Sequence, residues 1–466
     1  MYKISIILPS LNVANYIHTC INSVILQKLH DIEIICVDAG STDGTLEILR
    51  EYEKKDNRIK VIVSDIKSYG YQMNLGIQAA NGKYIGIVET DDFVDKNMFY
   101  CLYALAEKYD VDFVKSGYKQ FVSNRTKKVI NYENARVLPD EYINKKLDLY
   151  NNTKARFIDT VHIWSGIYKK DFLVSKNIRF NETKGASFQD TSFSILVGLF
   201  ADSCIYTNDA FYCYRMDNEG SSVKSDSKIN CIIDEFAYLD KYIDKYTSEA
   251  VEFEIKREKI KAYGWNYNRL SIESRELFRN QVLEEMKEFR NNKAFYYWLD
   301  SYNQCILNDL ISDIRNSSEI DKEKEDMAHL LIDTLKEGRR YSIVSAGTYA
   351  NRIILLMQYM NIEAAAVYDN SDDKVGKIFN GYTIELIDNI CNNDRDDIDT
   401  NFNRFSNNLS RSQLAEANLR NELKQTTDEL KKQLEILGIK KDNIKIFDNL
   451  YDWTRLIDIY NHIEST

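Results

Sequence analysis

The first 116 residues alternate short, unbroken apolar runs with stretches whose apolar positions recur at helical spacing. Lys3–Leu8, Ile32–Val37, Ile59–Val63 and Tyr84–Val88 are the short runs, and they read as buried strands, with a later one at Asp112–Lys115. Ala14–Gln27 carries Ile17, Cys20, Ile21, Val24 and Ile25 on one helical stripe. A second helix runs to about Glu53 behind a Ser41 or Thr42 cap, and Tyr71–Ala80 is a third that stops at Asn81-Gly82. Strands and helices in alternation predict an α/β fold with a largely parallel sheet covered on both faces.

Beyond residue 117 the pattern loosens. Tyr118–Leu138 reads as a hairpin or an extended excursion, Gln189–Ala201 as a helix, and Ser203–Tyr206 and Phe211–Tyr214 as separate strands. Residues 227–336 are charged and helical, with no glycine or proline run. A second α/β pattern opens with a strand at Tyr341–Val344, a helix at Tyr349–Met360 and a strand at Ala364–Asp369. Residues 392–411 look like a polar, mobile break, Leu414–Leu437 like a surface helix rather than a coiled coil, and Ile444–Phe447 like a final strand. The expected organisation is an α/β domain over 1–226, a helical region over 227–337, and a small second α/β domain over 338–466 with a polar helical insertion.

Composition narrows the function classes. Of 466 residues, 44% are apolar and 29% charged, a balance that calls for packed cores rather than disorder. The net charge of -11 argues against a nucleic-acid partner, which needs a basic surface. The eight cysteines form no C-x-x-C pair and several lie in apolar runs, so they read as buried thiols in a reducing compartment. The opening apolar run is too short for a signal peptide, and no run of about 18 apolar residues exists to span a membrane. The expected location is the cytoplasm, with peripheral contact at the inner face of a membrane if the substrate is membrane-bound.

In an open α/β sheet, ligands sit beyond the carboxyl ends of the strands, and that is where the acidic residues fall. Asp38 follows the second strand, in Val37-Asp38-Ala39-Gly40-Ser41-Thr42-Asp43-Gly44. It can accept from a nucleobase or ribose, or merely order the turn. Glu89-Thr90-Asp91-Asp92 follows the fourth strand. Its three carboxylates repel one another, and a divalent cation relieves that repulsion while binding diphosphate oxygens. The alternative is an acidic helix start. Asp190 begins a helix, where it can serve as a general base or as a cap. Tyr212-Cys213-Tyr214-Arg215 leads into Asp217-Asn218-Glu219-Gly220-Ser221-Ser222-Val223-Lys224, a loop able to close over a diphosphate or simply to lie on the surface.

Taken in order, these segments resemble the inverting family-two glycosyltransferases of the GT-A fold, in particular bacterial enzymes that build capsules and lipooligosaccharides. Ile7-Leu8-Pro9-Ser10-Leu11-Asn12, Asn74-Leu75-Gly76-Ile77, Asn81-Gly82-Lys83-Tyr84-Ile85, Gln189-Asp190 with Phe193, and Tyr214-Arg215 complete the series, which covers roughly residues 1–225. The resemblance implies a GT-A, Rossmann-like mixed sheet and a nucleoside-diphosphate sugar donor, UDP-linked by preference, with Mg2+ or Mn2+. It implies an oligosaccharide or lipid-linked glycan acceptor and a homo-oligomer as a possible assembly. It assigns Pro9, Asn12, Asp38, Asn74, Glu89, Asp91 and Arg215 to the donor, Asp91 and Asp92 to the metal, Asp190 to the base, and Trp164 to the acceptor side.

This chain departs from the family pattern in places. Leu11 stands where an aromatic is common, Ala39 where a second aspartate is common, and Gln189 where glutamate is common. No histidine lies between His162 and His329, so a histidine ligand after Arg215 is not expected. Ser345-Ala346-Gly347-Thr348-Tyr349-Ala350 keeps one glycine of a dinucleotide-binding turn, and Asp369 stands where a ribose-binding acid would. A structural or binding role is expected of this second unit. The competing functions are a non-catalytic sugar-nucleotide-binding protein and a Rossmann-type oxidoreductase or epimerase acting through 341–370.

Overall fold

The computed structural model describes residues 2–466 except 124–128, 133–137, 159–160, 187, 219–227, 247, 313–314, 338–339, 345–347, 370–373, 381, 387–397, 403–443, 447–455, 458, 462 and 464–466. The chain forms two compact units: Met1–Phe121 with Glu133–Phe295, and Val122–Tyr132 with Tyr296–Thr466.

The elements run β1 (Ile4–Ser10), α1 (Ile17–Ile25), β2 (Ile32–Asp38), α2 (Thr45–Lys55), β3 (Ile59–Val63), α3 (Tyr69–Ala79), β4 (Tyr84–Ile87), β5 (Phe93–Val94), α4 (Met98–Tyr109) and β6 (Phe113–Ser123). After β7 (Val129–Tyr132), which belongs to the second unit, come β8 (Leu147–Asp148), β9 (Gly166–Lys169), α5 (Lys170–Ser175), α6 (Gln189–Phe200) and β10 (Ser203–Arg215). Helices α7 (Cys231–Tyr246), α8 (Glu249–Arg269) and α9 (Ile272–Asn291) follow, then α10 (Lys293–Trp298), α11 (Ser301–Ile311) and α12 (Arg315–Lys336).

The first unit is a mixed α/β layer, as expected. Its sheet has the order β3-β2-β1-β4-β9-β6-β10-β5. Strands β1 to β4 are parallel, and β9 inserts antiparallel between β4 and β6. Every residue of β1 and β2 is buried, which is why both are near-continuous runs of Ile, Leu and Val. Their register pairs Pro9 with Val37 and Ser10 with Asp38, so both strands end at one carboxyl edge.

Helix α2 starts later than the sequence indicates. Gly44, at φ +98°, precedes it, because Ser41 and Thr42 are engaged in loop bonds described below. Strand β10 is one strand where two were expected. Thr207-Asn208-Asp209 reads as a turn, but it forms an irregularity in the pairing with β6, and the Thr207 hydroxyl bonds to the Asp209 carboxylate at 3.0 Å. Helix α3 packs so closely on the segment before α6 that a Cβ on Gly70 would lie 1.9 Å from the Asn181 carbonyl oxygen.

The second unit carries β11 (Arg340–Val344), α13 (Thr348–Tyr359), β12 (Ala366–Asp369), β13 (Ile378–Phe379), β14 (Tyr382–Leu386), β15 (Ile398–Phe402) and β16 (Ile444–Ile446). The strand order is β13-β14-β12-β11-β15-β16, parallel except for the β13–β14 pair. With β11 first in the chain, its parallel strands follow the Rossmann order. The expected polar break at 392–411 is corrected in part: Ile398–Phe402 pairs along the whole of β11. The turn at 345–347 and the expected helix Leu414–Leu437 lie outside the described residues. Among the described residues, no helix is long and apolar enough to cross a membrane.

Candidate functional site

The carboxyl edge of β1 and β2 supports two interlocked loops. Asp38 is fully buried, and the described bonds of its carboxylate lie within its own turn. One oxygen accepts the Gly40 and Ser41 amides at 2.9 Å each, and the other accepts the Ser41 hydroxyl at 2.5 Å. Ser41 Oγ in turn accepts the Asn12 amide at 2.9 Å, while Asn12 Oδ1 accepts the Thr42 amide at 2.9 Å. Asp43 accepts the Ala14 amide and Thr45 Oγ1 accepts the Val13 amide, both at 2.9 Å. Asn12 holds φ +54°, a conformation asparagine tolerates better than most residues. Gln72, which sequence reasoning missed, donates to the Ser10 and Val37 carbonyls at 3.0 and 2.7 Å, tying the two strand ends together.

Pro9 ends the apolar run of β1, and its carbonyl accepts the Thr90 hydroxyl at 2.8 Å. That bond fixes the segment after β4 over the end of β1. Within the segment, Glu89 Oε1 accepts the Tyr69 phenol at 2.6 Å. Tyr212 accepts the Glu89 amide at 3.0 Å and donates to Asp92 Oδ2 at 2.7 Å. The other Asp92 oxygen accepts the Arg215 amide at 2.6 Å. Arg215 Nε donates to the Asp91 carbonyl at 2.8 Å, and its guanidinium lies 4.7 Å from the ring centre of Tyr16 and 4.5 Å from that of Phe121.

Asp91 and Asp92 were expected on equal terms as metal ligands, and the geometry separates them. Asp92 is 1% exposed with a protein donor on each oxygen. Asp91 is half-buried, and its Oδ2 accepts the Asn218 amide at 2.8 Å. Among the described residues, no group of three or more His, Cys, Asp or Glu side chains is arranged to hold a metal.

Electrostatics mark the same residues. Burial pushes the Glu89 carboxyl up to about 8, opposed by the Tyr69 bond and reinforced by Asp91 and Asp190. Burial, then the Asp91 charge, holds Asp92 well above the usual carboxylate range. Asp190 is raised to about 6 by burial, opposed by the Thr191 amide, His162 and Lys115. It is not the helix cap: Phe188 occupies that position and makes no side-chain cap bond. Asp190 lies in the first turn of α6, where it accepts the Thr191 amide at 3.0 Å.

Two of the residues expected beside the ligands bond or stack within the protein. Asn74 commits its amide to the segment before α6. It donates to the Phe180 carbonyl at 3.0 Å and Glu182 at 2.8 Å, and it accepts the Phe180 amide at 3.0 Å. It therefore braces the segment before α6. Trp164 is 6% exposed and stacked on Tyr212 and Tyr214, at 4.1 and 5.1 Å between ring centres.

Glu235 on α7 was also missed. It is fully buried, accepts the Ser192 hydroxyl and the Asn181 amide, the latter at 3.0 Å, and burial raises it to about 8. An acid set within the apolar stripe of Ile232, Phe236 and Leu239 was the readable signal.

Comparison with known proteins gives this edge its context. The model for glycosyl transferase family 2 matches residues 5–170. The uncharacterized glycosyltransferase EpsJ of Bacillus subtilis is 35% identical over 213 residues, which cover 46% of this chain and 60% of EpsJ. The chain thus spans little more than half the length of that relative. The glycosyltransferase GlyG of Streptococcus pneumoniae is 30% identical over 222 residues, covering 46% of this chain and 70% of GlyG. Among solved structures, S. aureus TarS residues 1–349 in complex with UDP-GlcNAc is 20% identical, with a TM-score of 0.41, covering 68% of this chain and 91% of that one. The family match spans β1 through β9 and takes in Pro9, Asn12, Asp38 and the acids after β4, and the likeness to GlyG extends over 70% of that protein: this chain belongs to glycosyl transferase family 2.

Proposed function

We propose that this chain transfers a sugar from a nucleoside-diphosphate sugar, UDP-linked, to a hydroxyl of an oligosaccharide or lipid-linked glycan acceptor, with inversion in a single displacement. The observation that carries the reading is the acid cluster after β4, in which the buried Glu89 feels the charges of both the half-buried Asp91 and Asp190. In this reading the acceptor oxygen bonds to the sugar's anomeric carbon as the bond to the diphosphate breaks. Asp190 takes the hydroxyl proton, and the diphosphate leaves with the bonding pair. A carboxyl near 6 is ionised at neutral pH yet basic enough to accept that proton.

Asp91 would hold Mg2+ or Mn2+, sharing it with ligand oxygens as such ions do when one or two carboxylates bind them beside phosphates. A bound cation supplies Lewis-acid stabilisation of the leaving diphosphate. Asp92 then acts through Arg215, whose backbone it holds. Pro9, Asn12 and the turn ordered by Asp38 form the nucleotide side. The surface-glycan role, the cytoplasmic location and peripheral membrane contact belong to the same proposal, as does a catalytic domain over 1–226.

Calorimetry of UDP with Mn2+ on the wild type and Asp91→Asn tests the metal assignment. The variant should lose the metal-dependent part of the affinity, on the order of a hundredfold, the effect of removing one aimed electrostatic contact. Equal metal-dependent affinities would remove Asp91 from the site.

A further inference from the structure

Helix α8 places a large aromatic on the surface beside the turn that carries Asp190. Trp265 is 44% exposed, flanked in sequence by the buried Gly264 and Asn266. Its ring meets Phe188 edge-on, with centres 5.4 Å apart and planes at 81°. The Arg269 guanidinium lies 5.1 Å from the Phe188 ring centre and 5.7 Å from that of Trp265.

The arrangement is held from behind. Arg269 donates to Asn266 Oδ1 at 2.9 Å and to the Lys228 carbonyl at 3.1 Å. Asn266 donates to the Ile229 carbonyl at 3.0 Å, and Lys228 donates to the Ala186 carbonyl. Phe188 itself sits at φ +66°, a left-handed backbone that a bulky side chain rarely adopts. Such a conformation persists only where surrounding structure enforces it, and it gathers at functional sites.

We infer that Trp265, Phe188 and Arg269 form a stacking platform for a pyranose ring of the glycan acceptor. The inference rests on the proposed role of Asp190. An acceptor must bring a hydroxyl to Asp190, and Phe188 is two residues away on the same turn. A pyranose offers a flat C–H face to an indole and a hydroxyl rim to a guanidinium, which matches an apolar ring edged by donors. Trp265 lies outside residues 5–170, so this part of the site is supplied by the helices that follow the shared family region. The competing occupant, the donor's base, is disfavoured because the loops at the ends of β1 and β2 carry the nucleotide side.

Saturation-transfer NMR on the full chain tests this. The probes are the methyl β-glycosides of glucose, galactose and N-acetylglucosamine, with UDP and Mn2+ present. The wild type should bind at least one glycoside, with saturation strongest on its ring C–H protons. Trp265→Ala should weaken that binding roughly five- to a hundredfold, the usual effect of removing one stacked aromatic. Trp265→Phe should keep most of it, and both variants should bind UDP as the wild type does. Glycoside binding that is equal in Trp265→Ala and wild type, or absent in wild type, overturns the inference. So does a loss of UDP affinity in Trp265→Ala, which would give the platform to the base. Failure of the wild type to bind UDP at all would instead overturn the transferase reading.

Discussion

Each α/β unit sets an aspartate at the carboxyl edge of parallel strands, and the two edges differ in what holds those acids. In the second unit, Asp369 closes β12, is 2% exposed and accepts Lys374 Nζ at 3.0 Å. That carboxylate already has its cation. In the first unit, Glu89, Asp92 and Asp190 are held by phenols and backbone amides: Tyr69, Tyr212, Arg215 N–H and Thr191 N–H. None of these bonds comes from a cation, and burial raises all three groups, for Asp190 against the opposing charges of His162 and Lys115. One edge is electrostatically complete, and the other gains from a proton or a cation. Topology marks where a ligand can sit, but the partners of each acid decide whether chemistry follows.

Asp190→Asn puts the largest strain on this contrast. Transfer should fall about a hundred- to ten-thousandfold, the usual range for a positioned base, with UDP affinity unchanged. In the wild type, turnover should rise as pH passes through about 6 and Asp190 ionises. Because its proton is held more tightly folded than unfolded, the group disfavours folding as pH rises through the same point. Asp190→Asn should therefore melt higher than wild type at pH 7.5, with no difference once pH falls below the ordinary aspartate range. Wild-type turnover in this variant would mean the acceptor proton leaves by another route.

Glu89→Gln sharpens the comparison from the other side. A carboxyl raised to about 8 carries its proton at pH 7, and glutamine reproduces that neutral form while still accepting from Tyr69. Turnover should stay within roughly threefold, as for a substitution that removes no contact. Wild-type stability should drop, relative to the variant, as pH rises from the ordinary glutamate range to about 8, and level off above it. A turnover loss in Glu89→Gln as deep as in Asp190→Asn would show that Glu89 works as an anion.

The smallest effect is expected in the second unit. Asp369→Asn should leave UDP affinity and turnover unchanged and slightly lower the melting temperature, since Lys374 loses its partner. A loss of UDP affinity there would erase the distinction between the two edges.

The strands β1 to β4 were legible because burial on both faces demands unbroken apolar runs, and Ile4–Ser10 and Ile32–Asp38 are such runs. The position of Asp91 past the end of β4 was legible from the same runs. What escaped depends on partners far along the chain. The bond from the Asn74 amide to the Phe180 carbonyl has no local sign in the sequence. The stacking of Trp164 on Tyr212 and Tyr214 joins residues about fifty positions apart. The split of β10 failed because Thr207-Asn208-Asp209 carries turn chemistry that a paired strand absorbed as an irregularity. Trp265 had no local mark, since one tryptophan in a polar helix looks like any other surface residue.

The bonds that lace Asn12, Val13 and Ala14 to Ser41, Thr42, Asp43 and Thr45 have a thermodynamic consequence. In the proposed reading, these bonds join the two loops into one wall before the nucleotide binds. Ordering a loop on binding usually subtracts from affinity, and here that entropy has already been surrendered in folding. Loosening the lace, as Ser41→Ala would, returns the disorder to the free protein. Nucleotide affinity would then fall through the entropy of binding, because the lost hydroxyl bridges Asn12 and Asp38.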